Sequence, residues 1–149
     1  TELHDATGEA IRTAGAEFGT VTGRPRRCGW FDAEIVRFTA QVNGFTELAL
    51  TKLDVLDSLP TIKVCVGYQH ATVQAMAERH YWEGDAQWLE NVQPVTIELP
   101  GWQQSTRGLR HFTELPKAAQ SYVRAVEELV GVPATYISTG PERDETIVR

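Results

Sequence analysis

The chain has 149 residues, 42% of them apolar and 23% charged, which is enough for one packed domain and short for two. A net charge of -6 argues against nucleic-acid partners, which call for a surplus of Lys and Arg against phosphate. No apolar run reaches the roughly 18 residues of a membrane span, and the start Thr1-Glu2-Leu3-His4-Asp5 lacks the parts of a secretory signal.

Cys28 and Cys65 stand far apart without a Cys-x-x-Cys pair, a usage that fits the reducing cytoplasm better than a disulfide scaffold or a zinc site. The chain starts at Thr1 without an initiator Met, which fits processing and a piece of a longer chain equally well.

Taken in order, positions 3–18 read as a helix with apolar residues at Leu3, Ala6, Ala10, Ile11, Ala14 and Phe18. Gly8 and Gly15 weaken it by roughly 1 kcal/mol each relative to Ala. Positions 20–28 combine Gly and Pro breakers with several arginines and read as a loop. Asp32 caps a clearer helix whose apolar stripe is Phe31, Ile35, Phe38 and Val42, closed by Asn43-Gly44.

Positions 48–53 follow as a buried strand, and 62–66 alternate towards Tyr68 as a second. A helix is expected within 72–82, with Trp88 as a packing anchor. Positions 95–99 form a third strand, stopped by Pro100-Gly101. Pro116 opens the strongest helix, with an inner face of Ala119, Tyr122, Val123, Val126 and Val130 and a stop at Gly131. A last strand, 134–138, runs into Thr139-Gly140-Pro141. Short helices and strands in near alternation predict an α/β (or α+β) domain.

Three polar loops carry the chemistry, since binding residues collect where strands end. The first is Thr20, Val21, Thr22, Gly23, Arg24, Pro25, Arg26 and Arg27. Guanidinium forks suit carboxylates and phosphates, Gly23 permits close backbone approach, and Pro25 stiffens the segment. Its plainer reading is a solvated basic loop paired with nearby Asp and Glu. The second is Thr51-Lys52-Leu53-Asp54 at a strand terminus. A Lys-x-Asp there is a way to choose guanine: the carboxylate accepts from the ring N–H and the amino group, and the lysine stem lies along the base. Most such tetrapeptides are surface ion pairs. The third is Ser138-Thr139-Gly140-Pro141, whose small residues either turn main-chain N–H groups towards a ring or simply make a tight turn.

Other chemistry finds no support. No Gly-x-x-x-x-Gly-Lys-Ser/Thr or Gly-x-Gly-x-x-Gly occurs, and His4, His70, His80 and His111 show no His-Glu-x-x-His spacing. Trp30, Trp82, Trp88 and Trp102 read as packing residues.

The segments Thr22-Gly23-Arg24-Pro25-Arg26-Arg27-Cys28-Gly29-Trp30-Phe31-Asp32 and Leu50-Thr51-Lys52-Leu53-Asp54-Val55-Leu56-Asp57 resemble the arginine loop and the guanine-binding segment of the adenylosuccinate synthetases. Leu99-Pro100-Gly101-Trp102 and Ser138-Thr139-Gly140-Pro141-Glu142-Arg143-Asp144 match that family's later signatures in the same order. The resemblance runs over essentially the whole chain and about the last third of the family's length. It implies the C-terminal part of a larger P-loop-like, GTP-dependent synthetase, in which 1–149 is a single domain.

That family joins IMP and L-aspartate to adenylosuccinate with GTP and magnesium, on the route to AMP. It phosphorylates the IMP O6 and then displaces the phosphate with the aspartate amino group. Carried over, Thr20, Val21, Thr22, Gly23, Arg24, Pro25 and Arg26 bind aspartate, Arg24 also reaches IMP, and Arg26 also reaches GTP. Lys52, Leu53 and Asp54 hold guanine together with Ser138, Thr139 and Gly140. Val21 stands where the resemblance implies a threonine. The phosphate loop, the catalytic Asp, its His partner and the Mg2+ ligands belong to the remainder of the family's chain, so no catalytic or metal residue is expected here, nor any turnover by this chain alone. A cytoplasmic homodimer is implied for the full-length enzyme. The competing readings are a stand-alone guanine-nucleotide or anion-binding module without catalysis, and a structural domain whose arginines only pair with acidic neighbours.

Overall fold

The computed structural model describes residues 1–70 and 86–149. The helices are α1 (Ala6–Ala14), α2 (Ala33–Asn43), α3 (Ala86–Leu89) and α4 (Lys117–Val130). The strands are β1 (Phe31–Asp32), β2 (Leu48–Leu50), β3 (Thr61–His70), β4 (Val92–Pro100), β5 (Ala134–Ser138) and β6 (Thr146–Val148). One sheet has the order β1-β3-β4 and the other β2-β5-β6. Each mixes one parallel pair (β1 with β3, β2 with β5) and one antiparallel pair (β3 with β4, β5 with β6). The fold is α/β.

The inner face expected for α4 is the one buried: Ala119, Tyr122, Val123, Val126 and Val130 are all at most 4% exposed. Positions three and four apart share one side of a helix, so these residues make one continuous contact against the core. Burial of each larger side chain stabilises the fold by about 1.5–3 kcal/mol. Gly131 ends the helix at φ 79°, a left-handed turn that glycine enters without a Cβ clash.

The β3–β4 ladder carries a register shift between Cys65 and Gly67. Strict alternation would put Cys65 and Tyr68 on opposite faces. The extra residue brings both onto one face, where they cluster with Val92, while Ile62 and Val64 join the main core. Trp88 is the expected anchor: its ring meets Tyr68 edge-on at 5.1 Å. Asp32 serves two partners here, capping α2 through the Ile35 N–H and accepting the Tyr68 hydroxyl.

Both cysteines are free and buried, in separate clusters. Burial pushes the Cys65 thiol up to about 11, so almost none of it is thiolate at neutral pH. An alkylating reagent is therefore expected to reach Cys65 only on unfolding. Rapid labelling of the native chain would contradict the closed β3–β4 packing.

Several expectations need correction. The first helix is shorter than 3–18 because Asp5 caps it, accepting from the Thr7 and Gly8 N–H groups. Before the cap, the Leu3 N–H donates to the Cys28 carbonyl, and after the helix Ala16 turns at φ 50°. Phe18 falls beyond the helix and is 40% exposed. Of the stripe expected for α2, Phe31 and Ile35 pack against the core, whereas Phe38 and Val42 are 37% and 67% exposed and Ala33 and Ala40 are buried in their place. Small side chains let α2 approach α4 and β3 closely, and the bulky ones are turned outwards. The strand at 48–53 stops at Leu50, since Lys52 is left-handed at φ 61° and Leu53 opens a 3-10 turn, Leu53–Leu56. The strand expected at 95–99 extends over Val92–Pro100. The helix expected within 72–82 lies outside the described residues.

Candidate functional site

The first loop is more ordered than its composition suggests. Phe18 and Pro25 form an antiparallel bridge, and the Gly19 N–H donates to the Arg24 carbonyl at 2.8 Å. Gly23, at φ 65°, donates back to the Gly19 carbonyl at 2.8 Å and turns the tip. Arg26 then donates its N–H to the Glu17 carbonyl at 2.9 Å. Thr20 through Arg27 all remain exposed, Val21 at 96%.

The arginines divide. Arg26 pairs with Glu17 at 3.2 Å and Arg27 donates to Glu2 at 2.7 Å. Arg24 has no side-chain partner among the described residues. Pairing with acidic neighbours thus accounts for two of these three guanidinium groups and leaves Arg24 presented to solvent.

Because β2 and β5 are parallel, with Leu50 opposite Ile137, their carboxyl ends lie side by side. The second and third loops therefore leave the sheet together. The Lys52 N–H donates to Ser138 Oγ at 2.8 Å, joining them directly. The Lys52 ammonium points the other way, to the Gly15 carbonyl at 2.8 Å and to the Glu17 carboxylate. Lys52 thus joins the second and third loops directly, through its backbone bond to Ser138, and reaches the first through Glu17, the acid that also holds Arg26.

Leu53 is 1% exposed, so its side chain belongs to the core and only its main chain faces the site. Thr139 is fully buried; its hydroxyl donates to the Leu109 carbonyl at 2.9 Å and its N–H to the Glu145 carbonyl at 2.8 Å. Gly140 lies against the Glu145 carboxylate, into which any Cβ would run. Asp54 lies in the first turn of the 3-10 segment, and its carboxyl is held above the ordinary value, first by burial and then by the nearby charges of Asp57 and Glu145, with Arg107 opposing. Glu17 moves the other way, held below the ordinary carboxylate range chiefly by its bond from Lys52 and further by Arg26, with burial opposing.

A cavity of about 390 Å³ opens between the first two loops, lined by Glu17, Arg26, Thr51, Lys52, Cys28 and Tyr122 among others. Asp54 and residues 138–140 do not line it. Lys52 divides the region into a cationic side facing this cavity and a side where its N–H meets Ser138 and where Glu145, packed on Gly140, acts on the Asp54 carboxyl. The first has donors for anions. The second has a carboxylate that can accept two parallel N–H bonds.

Glu17, Glu145 and Asp57 carry much of this geometry, and of the three only Asp57 falls within a recognised motif, where it has no assigned role. Glu17 holds Lys52 from 35 residues away and Asp57 holds Trp102 and Thr106 from 45 and 49 residues away, while Glu145 closes a local turn with Glu142 and Thr139. Among the described residues no group of three or more His, Cys, Asp or Glu side chains could hold a metal ion. Among the described residues no helix is long and apolar enough to cross a membrane.

The family model of adenylosuccinate synthetase matches residues 1–147. The chain belongs to the adenylosuccinate synthetase family. It is 52% identical over 147 residues to the adenylosuccinate synthetase of Heliobacterium modesticaldum, covering 99% of this chain and 34% of that protein. The corresponding protein of Nitrosomonas europaea is 51% identical over 148 residues, with 99% and 34% covered. The solved structure of fully ligated adenylosuccinate synthetase from Plasmodium falciparum superposes with a TM-score of 0.92 at 34% identity, over 100% of this chain and 35% of that one. The chain thus spans about a third of the length of its adenylosuccinate synthetase relatives. The α/β architecture is that of the ligated family structure.

Proposed function

We propose that these 149 residues form one unit, the C-terminal third of a cytoplasmic, homodimeric GTP-dependent ligase that joins IMP and L-aspartate to adenylosuccinate. The observation that carries this reading is the junction at Lys52, which gathers the arginine loop, the Lys-x-Asp turn and the loop after β5 into one region. Thr20 to Arg26 bind the aspartate carboxylates, with Arg24, which has no side-chain partner among the described residues, also reaching IMP and Arg26 the GTP side. Guanidinium forks match carboxylate and phosphate oxygens in pairs, which a lysine in the same place does not. Val21 offers no hydroxyl, so the aspartate side relies on Thr20, Thr22 and the arginines.

On the other face, ionised Asp54 accepts from the guanine ring N–H and amino group. Leu53, Thr139 and Gly140 shape the pocket through main chain, since the first two side chains are buried and the third residue has none. Adenine offers no matching donor pair, so this carboxylate selects the base. The phosphate cradle, the Mg2+ ligands and the base that deprotonates IMP are assigned to the rest of the family's chain.

Calorimetric titration of the 149-residue chain with GTP, and with ATP as control, tests this reading. GTP should bind weakly, ATP more weakly still, and no adenylosuccinate should form, because a triphosphate without its cradle of N–H groups loses most of its contacts. Equal binding of the two nucleotides would remove the guanine assignment. Tight, magnesium-dependent GTP binding would favour a self-contained nucleotide module instead.

A further inference from the structure

Glu17 lies just outside every segment assigned above, yet it is the residue on which two of them converge. Its two carboxylate oxygens serve different loops: Oε1 takes the Lys52 ammonium, and Oε2 takes Arg26 Nη1 at 3.2 Å. Its backbone is fixed on both sides, donating to the Arg12 carbonyl at 2.9 Å and accepting the Arg26 N–H at 2.9 Å.

The exposures are ordered in a telling way. The Glu17 side chain is 21% exposed, against 59% for Arg26 and 49% for Lys52. The acid is the shielded member, and the two cations stand outside it, on the cavity that all three line. With its head tied to Glu17 and to the Gly15 carbonyl, Lys52 keeps its aliphatic stem in one place as a wall.

We propose that Glu17 is a positioning residue that ties the arginine loop to the lysine turn, so that Arg26 and Lys52 are set together for an anionic nucleotide. This rests on the nucleotide reading above. An isolated exposed ion pair contributes little, but one carboxylate shared by two cations from separate loops fixes their spacing before ligand arrives.

The test uses the 149-residue chain, with melting temperature as the folding control, peptide-resolved acetylation of Lys52 as the report on the tie, and calorimetry with GDP as the report on binding. Lys63 and Lys117 serve as internal standards for acetylation. Glu17→Gln keeps size and removes charge. The expected result is faster acetylation of Lys52 alone and GDP binding weakened roughly fivefold, with melting little changed. Glu17→Asp, which retains the charge on a shorter stem, should recover part of both.

Unchanged Lys52 acetylation in Glu17→Gln would overturn the proposal. So would faster acetylation with equal GDP affinity, which would make the tie merely structural, or tighter GDP binding, which would make Glu17 a stand-in for the ligand's own anion. If the unmodified chain fails to bind GDP while Glu17→Gln still frees Lys52, the tie stands and the nucleotide reading fails.

Discussion

Replacing Asp57 with Ala is expected to cost the chain about 3 kcal/mol or more of unfolding free energy. Its carboxylate accepts from Trp102 Nε1 at 2.7 Å, from the Thr106 N–H at 2.7 Å and from the Thr106 hydroxyl at 2.8 Å. Trp102 is 4% exposed and Thr106 is fully buried, so the abandoned donors find no water. Each unmet buried donor costs about 1–3 kcal/mol. At this chain length such a loss lowers the melting temperature by roughly 6–12 °C. Asp57→Asn should fall between, because one oxygen keeps the two Oδ1 bonds while its amide opposes the Thr106 N–H. Differential scanning calorimetry on the three chains reads the order directly, and an Ala variant melting with the parent would refute it. The effect reaches the site as well, since the Asp57 N–H donates to the Asp54 carbonyl at 3.1 Å and closes the turn that presents Asp54.

Asp54→Asn should move stability and binding in opposite directions. Burial, with Asp57 and Glu145 nearby, raises the Asp54 carboxyl above the ordinary aspartate value. A raised folded value means that the folded chain holds this proton more tightly than the unfolded chain does. The group therefore favours folding at low pH, and that contribution is lost as pH rises through its folded pKa. At neutral pH the ionised carboxylate works against the fold, so Asn in its place should stabilise the chain slightly. Guanine, however, needs two acceptors, and Asn presents a donor in place of one. GTP binding should weaken by about 1–3 kcal/mol, roughly five- to 150-fold. GTP affinity of the parent chain should also fall as pH drops through the raised Asp54 pKa, because protonation removes an acceptor. Titrations across that range, with thermal melts on the same samples, check both signs. Unchanged GTP affinity in Asp54→Asn would mean that the carboxylate does not read the base.

Local rules carried the parts of the fold that local rules govern. The α4 face, its Gly131 stop and the Asp32 cap follow from side-chain spacing and capping within a few residues, and all were legible. The far end of the α2 stripe was not, because size misled. Phe38 and Val42 are the larger apolar groups, but close helix packing selected Ala33 and Ala40. The strand past Leu50 was misread for another reason. Nothing in Thr51-Lys52 announces a left-handed lysine, and the bond that accompanies it runs from the Lys52 N–H to Ser138 Oγ, 86 residues away.

At the site, the three loops were visible as composition and as motif, and the fold brings them together. What sequence spacing could not reveal was the glue. Glu17 and Asp57 act through partners distant in sequence, and an isolated acid between a helix and a loop, as Glu17 is, has no pattern of its own.

The position of β4 at the margin of its sheet bears on how the chain behaves at high concentration. Among the described residues its outer side has no ladder partner, and nine residues are long enough to template another chain. Pro94 and Pro100 carry no N–H to offer an incoming strand, and exposed Glu98 is tied back to Lys63 of β3 at 2.9 Å. Ile97 and Leu99 can therefore supply core contacts from a border strand whose two prolines interrupt edge-to-edge pairing.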